Sequence, residues 1–519
     1  MGWFESPQPL LPELIVRHGK WRAARVALVA GEARLTWSEL ERATAQIANG
    51  LIAAGLKRGE CIALLMDNSL EFALLLFGIL RSGCVAVPLN VSINEAAIAG
   101  MIEDAAVRAV FASGAHCQRI DALDVSSERA RTALRFAHCG PGGRWRDITP
   151  WRTAQSTAAP AVCIQPEDEC NIIYSSGTTG VPKGIVHSHQ CRLNWAAELA
   201  VALRYRSDCV TLCSLGLFSN ISWVAMLSTL FVGGTIVVMP HFEAQAALRV
   251  IELEGITHGT FVPLQLERLL QLPDLQPERL RSLDTLMCCG SPLRPEVKRE
   301  FPRRTGCQLI ELYGLTEGVC TILAPEDFAA KMTSVGKPFL GTDIRIIGDD
   351  ERELPAGAVG EIVGYGPLLM QGYHGRESAS REATWLDEHG RRWLRTGDLG
   401  VLDGEGFLYV VDRKKDMILS GAQNVYPADI EQVMREHPDV ADVAVVGAPS
   451  RKWGETPVAI VVLRPERVPD RDALIAWTNA RVGKQQRIAD VLWRESLPRN
   501  ANGKVLKREL RAGLRATDY

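Results

Sequence analysis

The segment of this chain best suited to chemistry is the loop 174–184, which reads YSSGTTGVPKG. It lies between the apolar stretches NIIY and GIV, which favour a strand on either side of it. Glycines let the backbone approach a ligand closely, hydroxyl and N–H groups donate to phosphate oxygens, and Lys183 adds positive charge. The loop therefore predicts a phosphate-binding site. A flexible surface turn is the alternative interpretation.

This loop is not a Walker A loop. Pro182 stands where the Walker A pattern, read from Gly177, has its second glycine. The residues after Lys183 also read as a strand, whereas a Walker A loop leads into a helix. A P-loop nucleoside triphosphatase is therefore disfavoured.

Alternating strands and helices are expected to position the loop. Thr36 and Glu39 have the spacing of a capping box at the start of a helix. A strand over 61–65, a helix over 69–83 and a strand over 84–89 follow. This order is typical of a parallel sheet covered by helices.

Along the rest of the chain, the pattern of apolar and turn-forming residues changes several times. Residues 140–168 read as a surface connection, and 171–260 read as a second α/β layer. Short apolar segments separated by turns over 340–411 predict a small β-barrel or sheet. We predict an α/β fold with a large N-terminal domain, 1–412, of layered α/β subdomains plus the barrel, and a small α+β C-terminal domain, 413–519.

Composition narrows the class of protein. Of 519 residues, 47% are hydrophobic and 23% charged, which excludes a mainly disordered chain. The net charge of −3 gives no global field for nucleic acid or an anionic membrane. No apolar run approaches the roughly 20 residues of a membrane span, and the 13 cysteines include no CxxC pair. We expect a cytoplasmic protein with reduced thiols, no membrane span and no nucleic-acid partner.

The loop 174–184 resembles the signature loop of the adenylate-forming superfamily, which comprises acyl-CoA synthetases, nonribosomal peptide adenylation domains and firefly-type luciferases. Nine further segments resemble motifs of this family in the family order: 35–40, 83–90, 289–293, 311–318, 360–373, 393–400, 411–431, 445–455 and 498–510. The chain is identified as a member of the superfamily, most like bacterial acyl-CoA synthetases.

The resemblance implies a reaction in two steps. A carboxylate attacks the α-phosphate of ATP and expels pyrophosphate, and a thiol then displaces AMP from the acyl-adenylate. Both steps concentrate negative charge, so electrostatic stabilisation should dominate. The implied partners are ATP with Mg²⁺, CoA as co-substrate and a small carboxylic acid. The resemblance leaves open whether the protein forms a homodimer.

The resemblance also implies which residues act on the nucleotide. Lys504 is the mobile catalytic lysine, Glu317 and Thr179 hold Mg²⁺, Asp398 accepts hydrogen bonds from the ribose, and Tyr313 stacks on adenine. The implied catalytic residues are Lys504, Glu317, Thr316 and Lys183. The implied ATP- and AMP-binding residues are Ser175, Ser176, Gly177, Thr178, Thr179, Gly180, Lys183, Gly290, Ser291, Pro292, Glu311, Leu312, Tyr313, Gly314, Thr316, Asp398, Arg413 and Lys504.

The implied acyl pocket departs from the family pattern at Ser219, where relatives often have histidine or aspartate. Its residues are Phe218, Ser219, Asn220, Ile221, Trp223, Ala225, Cys289, Gly314, Cys320 and Thr321. A serine offers no counter-charge to an amine, which disfavours amino-acid substrates. The mostly apolar lining predicts a neutral hydrophobic acid, aliphatic or aryl, over a dicarboxylate. Cys289, often glycine in relatives, predicts a narrower pocket, and His187 and His189 read as structural histidines on the strand after the loop.

The resemblance places a hinge near Lys415, about which the mobile C-terminal domain swings. The implied CoA tunnel and hinge residues are Lys415, Ser420, Gly421, Ala422 and Gln423. Ala422 replaces the second of two glycines common in relatives. Two alternatives to an acid–CoA ligase stay open: a stand-alone enzyme that loads a carrier protein, and a non-catalytic nucleotide-binding relative. Lys183, Glu317, Asp398 and Lys504 are all present, which disfavours the second.

Overall fold

The structure is a computed structural model that describes residues 8–140, 142–175, 182–420, 423–450, 453–468, 470–500, 503–512 and 514. Five predicted phosphate-loop residues, 176–180, and two predicted tunnel residues, Gly421 and Ala422, lie outside the described residues.

The α-helices are α1 (Leu11–Trp21), α2 (Trp37–Ala53), α3 (Leu70–Ser82), α4 (Glu95–Asp104), α5 (Cys117–Ala122), α6 (Glu128–Thr132), α7 (Ile148–Thr153), α8 (His189–Ala202), α9 (Asn220–Val232), α10 (Ala244–Glu254), α11 (Pro263–Leu270), α12 (Pro295–Thr305), α13 (Phe328–Lys331), α14 (Glu377–Glu382), α15 (Pro427–Arg435), α16 (Arg471–Asn479) and α17 (Lys507–Ala512).

The strands are β1 (Val26–Ala30), β2 (Ala33–Thr36), β3 (Cys61–Leu65), β4 (Val85–Pro88), β5 (Ala109–Ser113), β6 (Leu134–His138), β7 (Arg146–Asp147), β8 (Glu169–Ser175), β9 (Lys183–Ser188), β10 (Val210–Cys213), β11 (Thr235–Val238), β12 (His258–Phe261), β13 (Thr285–Cys289), β14 (Gln308–Gly314), β15 (Cys320–Leu323), β16 (Lys337–Pro338), β17 (Asp343–Ile347), β18 (Gly360–Tyr365), β19 (Gly372–Tyr373), β20 (Thr384–Leu386), β21 (Arg392–Leu402), β22 (Leu408–Arg413), β23 (Ile418–Ser420), β24 (Gln423–Val425), β25 (Val440–Ser450), β26 (Gly454–Leu463) and β27 (Asp490–Trp493).

The chain divides into two compact units. The first comprises Met1–Met332, Pro338–Asp343 and Tyr365–Thr384, and the second comprises Thr333–Lys337, Ile344–Gly364 and Trp385–Tyr519. The mixed α/β class with a large N-terminal and a smaller C-terminal part is confirmed. The boundary after residue 412 and the hinge near Lys415 stay predictions.

Two mainly parallel sheets build the first unit. One runs in the order β15-β14-β13-β12-β10-β11-β1-β2, and the other in the order β19-β9-β8-β4-β3-β5-β6-β7. The predicted βαβ unit is confirmed, because β3 and β4 pair in parallel and α3 connects them. Strands β8 and β9 pair antiparallel on either side of the predicted phosphate loop.

Local sequence explains where the first helices begin and end. The capping box is confirmed: the backbone N–H of Thr36 donates to Glu39 Oε2 at 2.8 Å, and the N–H of Glu39 donates to Thr36 Oγ1 at 3.3 Å. Ser69 caps α3, which ends at Gly83 in the left-handed conformation. One buried apolar cluster contains side chains of both sheets and of α1, α2, α3, α8 and α9.

The prediction of a mere surface connection over 140–168 is wrong in part. This stretch contains β7 and α7, and Trp145 and Ile148 are 4% and 2% exposed. The ring of Trp151 packs against that of Phe136 with centroids 4.7 Å apart. Three apolar residues in a short polar stretch are too few to produce a detectable helical period.

Two sheets build the second unit. The expected barrel or sheet is a five-stranded sheet, β17-β18-β21-β20 with β22 paired to β21. The predicted C-terminal α+β part is a sheet in the order β24-β23-β26-β25, with β27 parallel to β26 and with α15 and α16. All 13 cysteines are free. In the part of the chain that the structure describes, no helix has the length and apolar character needed to cross a bilayer.

Candidate active site

Lys183 and Glu317 meet at Tyr373 in the first unit. Lys183 begins β9, and Tyr373 lies opposite Ile185 on the neighbouring strand β19. The Nζ atom of Lys183 lies 4.7 Å from the centroid of the Tyr373 ring. The Tyr373 hydroxyl donates a hydrogen bond of 3.1 Å to Glu317 Oε1. Tyr373 is not among the predicted site residues, although it ends the motif 360–373.

The backbone around Glu317 is held from two sides. The N–H of Met370 donates to the Glu317 carbonyl at 2.9 Å, and His187 Nε2 donates to the Thr316 carbonyl at 2.8 Å. Gly318 has φ 116°, and a Cβ there would collide with the carbonyl of Leu368. Only glycine fits this close approach, which constrains the backbone next to Glu317, while the Tyr373 hydroxyl contacts its carboxylate.

The two histidines after the loop differ in their structural element and in their hydrogen-bond partners. His187 lies on β9, is fully buried and contacts Asn171 Nδ2 at 3.4 Å through Nδ1. Burial lowers its pKa well below the ordinary value, so the ring is neutral, and its contacts with Asn171 and the Thr316 carbonyl agree with the predicted structural role. His189 instead begins α8 rather than lying on the strand. Its ring nitrogens have no partner among the described residues, and burial lowers its pKa to about 4.

A buried ion pair supports the predicted adenine side. Glu311 on β14 accepts from the N–H of Leu293 at 3.2 Å, and Lys298 on α12 lies 2.5 Å from its other carboxylate oxygen. The side chain of Glu311 is 5% exposed. It therefore supports the segment 289–293 from the protein interior, through its hydrogen bond with Leu293. Tyr313, at the end of the same strand, is half-buried.

The segment 289–293 itself is more open. Gly290 and Pro292 are exposed, and Ser291 is half-buried. Leu312 on the adjoining strand is buried, and Gly314 is exposed at its end. Among these residues, a ligand can therefore reach Gly290, Pro292 and Gly314 most readily.

The predicted acyl residues fall into two apolar clusters. Ile221, Cys289 and Cys320 contact one cluster, whereas Trp223 and Ala225 belong to the other, between the two sheets. The structure therefore does not bring Ala225 together with Cys289. Fully buried Thr321 lies on β15 opposite Tyr313, and Cys320 lies opposite Gly314.

The turn before α9 carries the remaining acyl residues. Ser219 is the N-cap of α9 and accepts from the N–H of Ile221 at 3.4 Å. Phe218 and Asn220 are half-buried on either side of it. Arg192, which is not among the predicted site residues, contacts Asn220.

In the second unit, Asp398 and Arg413 face each other on neighbouring strands. They are register partners of β21 and β22, and Arg413 Nε lies 3.1 Å from Asp398 Oδ1. Asp398 is 4% exposed. A buried carboxylate beside a guanidinium offers acceptor oxygens in a fixed direction, as recognition of neighbouring hydroxyls requires.

Lys504 belongs to the same group of charges. Its backbone N–H donates to Asn500 Oδ1 at 2.9 Å, which holds the turn that carries it. Burial, together with the nearby cations Arg413 and Lys415, lowers the pKa of Lys504 to about 8 despite the opposing charges of Asp398 and Asp416. An ammonium in this setting is poorly compensated and suited to an incoming anion.

The described part of the predicted CoA tunnel lies on two antiparallel strands. Ser420 on β23 is the register partner of Gln423 on β24. Lys415, just before β23, has its pKa lowered by burial.

The metal prediction rests on one carboxylate. Within the described residues, no three histidine, cysteine, aspartate or glutamate side chains are grouped as a metal site. Mg²⁺ commonly takes one or two protein carboxylates and completes its shell with water and substrate phosphates. Glu317, held by Tyr373, fits that donor set.

The sequence matches the models of two protein families. Residues 17–374 match the AMP-binding enzyme family, and residues 429–504 match the AMP-binding enzyme C-terminal domain. The first match spans more than half of the chain. The protein therefore belongs to the AMP-binding enzymes, the adenylate-forming superfamily, and is most like its bacterial acyl-CoA synthetases.

Several characterised proteins are similar over nearly their whole length. The long-chain-fatty-acid–CoA ligase FadD13 of Mycobacterium tuberculosis is 32% identical over 501 residues, which is 94% of each chain. The indoleacetate–CoA ligase of Aromatoleum aromaticum is 35% identical over 509 residues, 96% of this chain and 97% of the relative. The crystal structure of ATP-bound MatB from Rhodopseudomonas palustris superposes with a TM-score of 0.87 at 27% identity, covering 96% of this chain and 98% of MatB.

Proposed function

We propose that the protein is an ATP-dependent carboxylic acid–CoA ligase that forms an acyl-adenylate and then an acyl-CoA, with release of pyrophosphate and AMP. The observation that carries the proposal is the meeting of Lys183 and Glu317 at Tyr373, which joins a phosphate-binding cation to a carboxylate suited to Mg²⁺. The relatives named as CoA ligases support the same reaction.

The adenylation step depends on charge. Lys183 and the loop 175–180 bind the β- and γ-phosphates, and Asp398 with Arg413 orients the ribose. Lys504 binds the attacking carboxylate and the α-phosphate together, so that the negative charge that grows at phosphorus meets an ammonium. Glu317 would hold Mg²⁺, which when bound neutralises phosphate charge.

The thioester step needs no base from the protein. A thiol with a pKa of about 8.5 is already partly ionised at neutral pH and attacks the acyl carbonyl, from which AMP departs. Lys415 serves as the hinge of a mobile C-terminal domain, and Ser420 and Gln423 flank the path of the thiol.

The substrate is an acid with a mainly neutral, hydrophobic tail, aliphatic or aryl. The uncharged side chains of Ile221, Cys289 and Cys320, which contact one apolar cluster, support this choice. The free, mostly buried thiols support a cytoplasmic location.

Separate half-reactions test the mechanism. Lys504→Ala should abolish formation of acyl-AMP, measured as acid-dependent pyrophosphate release, by at least about 10²–10³-fold. It should largely retain formation of acyl-CoA from supplied acyl-AMP. Lys484→Ala, at an exposed lysine in the same unit, is the matched control and should affect neither half-reaction. Equal loss of both half-reactions in Lys504→Ala would contradict the assignment.

A screen of acids tests the function itself. Pyrophosphate release is followed over aliphatic, aryl and dicarboxylic acids, with CoA and with acyl carrier protein as alternative thiol donors. Saturation by CoA is expected. Acylation of the carrier protein without saturation by CoA would identify a loading enzyme, and no release with any acid would contradict adenylation.

A further inference from the structure

Arg192 on α8 is a buried cation. Its side chain is 0% exposed, and it forms no ion pair with a carboxylate among the described residues. Its guanidinium lies 4.9 Å and 5.6 Å from the ring centroids of Trp223 and Trp195. Its pKa falls to about 10 through burial, so it stays charged at neutral pH. A buried charge without a counter-charge costs several kcal/mol, on the order of the stability of a whole domain.

The partners of Arg192 are two carboxamides. Nε donates to Asn171 Oδ1 at 2.6 Å, and Nη1 donates to Asn220 Oδ1 at 2.8 Å. Nη2 has no acceptor within the described residues. Asn171 is itself fixed through His187, so the guanidinium is held from both sides.

This arrangement settles the orientation of Asn220. Because an arginine only donates hydrogen bonds, the atom of Asn220 that faces it must be the carbonyl oxygen. The NH₂ group of Asn220 is therefore directed away from Arg192. Asn220 is half-buried at the first turn of α9, a helix of 13 residues, next to the cap Ser219.

The electrostatics at this point favour an oxygen of the ligand. The amide hydrogens of Asn220 are hydrogen-bond donors. The positive charge of Arg192, which bonds the carbonyl oxygen of the same amide, strengthens them. The N-terminus of α9 adds positive potential. Most of the predicted acyl residues are uncharged and apolar, so an acceptor oxygen bound there would meet little competition from water.

We propose that Asn220, oriented by Arg192, determines the specificity of the acyl pocket, and that the preferred acid carries an acceptor oxygen besides its reacting carboxylate. The inference rests on the proposed function, in which the reacting carboxylate is bound by Lys504. The second oxygen belongs to a ketone or ether in an otherwise apolar tail, in agreement with the neutral tail proposed above.

Pairs of acids that differ by one oxygen test the proposal. The pairs are 4-oxopentanoate and pentanoate, phenoxyacetate and 3-phenylpropanoate, and 4-oxo-4-phenylbutanoate and 4-phenylbutanoate; glutarate beside pentanoate gives the anionic case. We measure kcat/KM for pyrophosphate release with CoA present. The oxygenated acid should be preferred on the order of ten- to a hundredfold in at least one pair. Preference for the ketone or ether supports the proposal, whereas preference for glutarate alone would overturn the neutral oxygen and the neutral tail.

Two isosteric variants make the test specific. Asn220→Asp keeps the acceptor for Arg192 and gives it a counter-charge, so the fold should be retained. It replaces the NH₂ donor that the proposal assigns to the ligand by an acceptor, and it should abolish or reverse the preference by lowering kcat/KM for the oxygenated acid alone. Asn194→Asp makes the same change on α8, where the amide of Asn194 bonds the Pro367 carbonyl, and should leave the preference unchanged.

The outcomes separate this inference from the proposed function. Turnover of both acids of every pair with equal kcat/KM, or a preference that Asn220→Asp does not alter, would overturn the role of Asn220 and leave the ligase intact. Failure of all acids in the wider screen would overturn the ligase function and this inference with it.

Discussion

Lys298 and Glu311 form a buried ion pair beside the predicted adenine segment. Their charged atoms lie 2.5 Å apart, and their side chains are 3% and 5% exposed. Lys298 also donates to the carbonyl of Met332 at 2.6 Å, while Glu311 accepts from the N–H of Leu293. The pair therefore ties α12 and β14 to the segment 289–293.

Removing the carboxylate charge of this pair should destabilise the protein. Glu311→Gln keeps an acceptor for Leu293 but removes the carboxylate charge that balances the buried ammonium of Lys298, at a cost of about 3–5 kcal/mol in the free energy of unfolding. Denaturant titration measures the change. Glu300→Gln removes the exposed pair with Arg303, whose side chains are 39% and 71% exposed, and should cost less than about 1 kcal/mol. Equal costs of the two variants would contradict the role of burial.

The rate of adenylation should decline in alkali. Lys504 has a pKa of about 8, and the reaction needs its cationic form. The kcat/KM for pyrophosphate release should therefore fall as pH rises through about 8. Lys504→Arg keeps the charge and should move this decline above the measured range, even if its absolute rate is lower. An unchanged pH profile in Lys504→Arg would assign the titration to another group.

The same pKa predicts a trend in stability. Because the folded-state pKa of Lys504 lies below the ordinary value of 10.5, the unfolded chain binds more protons between about pH 8 and 10.5. The free energy of unfolding of the wild type should rise with pH in this window relative to Lys504→Met. A parallel dependence in the two proteins would show that burial of this ammonium is not retained in solution.

Removing the Tyr373 hydroxyl should raise the Mg²⁺ concentration that adenylation requires. Tyr373→Phe keeps the ring beneath the ammonium of Lys183 but loses the hydrogen bond to Glu317, whose carboxylate is then less well oriented. We expect the Mg²⁺ concentration for half-maximal adenylation to rise several-fold, with a loss of rate of about tenfold. Tyr409→Phe removes a hydroxyl that bonds Asp403 and serves as the control. A loss of rate with no change in magnesium dependence would contradict this role.

Gly318 should be irreplaceable by alanine. In Gly318→Ala the new Cβ meets the carbonyl of Leu368, so the backbone next to Glu317 must move. Adenylation should fall by two orders of magnitude or more, since a displaced carboxylate is a misplaced catalytic group. Gly306→Ala is the matched control: Gly306 also has a positive φ, 74°, but its Cβ would meet nothing within 4 Å. That variant should lose about 1 kcal/mol of stability and keep its activity.

Much of the fold could be predicted because local signals were strong. The capping box at Thr36 and the strand–helix–strand order over 61–89 depend on residues close in sequence, and the structure confirms them. The helix over Ile148–Thr153 was missed because its few apolar residues gain meaning only through packing against α2 and Phe136.

The site was harder to predict where it depends on contacts between distant segments. Tyr373 lies 56 residues from Glu317 along the chain, and only the pairing of β19 with β9 brings it beside Lys183. Arg192 gave no signal, since one arginine in an ordinary helical stretch reads as a surface residue. Its burial and its contact with Asn220 come from the packing of α8 against α9.

The division of the chain has a practical consequence for protein engineering. The backbone passes from one unit to the other after Met332, Lys337, Asp343, Gly364 and Thr384. A truncation at any one of these points leaves one unit without part of its own chain. The strand that carries Tyr373 lies in the last return to the first unit, so a fragment ending before Tyr365 would lack the hydroxyl that bonds Glu317. Swapping substrate specificity between relatives is therefore better attempted by exchanging internal segments than by joining whole halves.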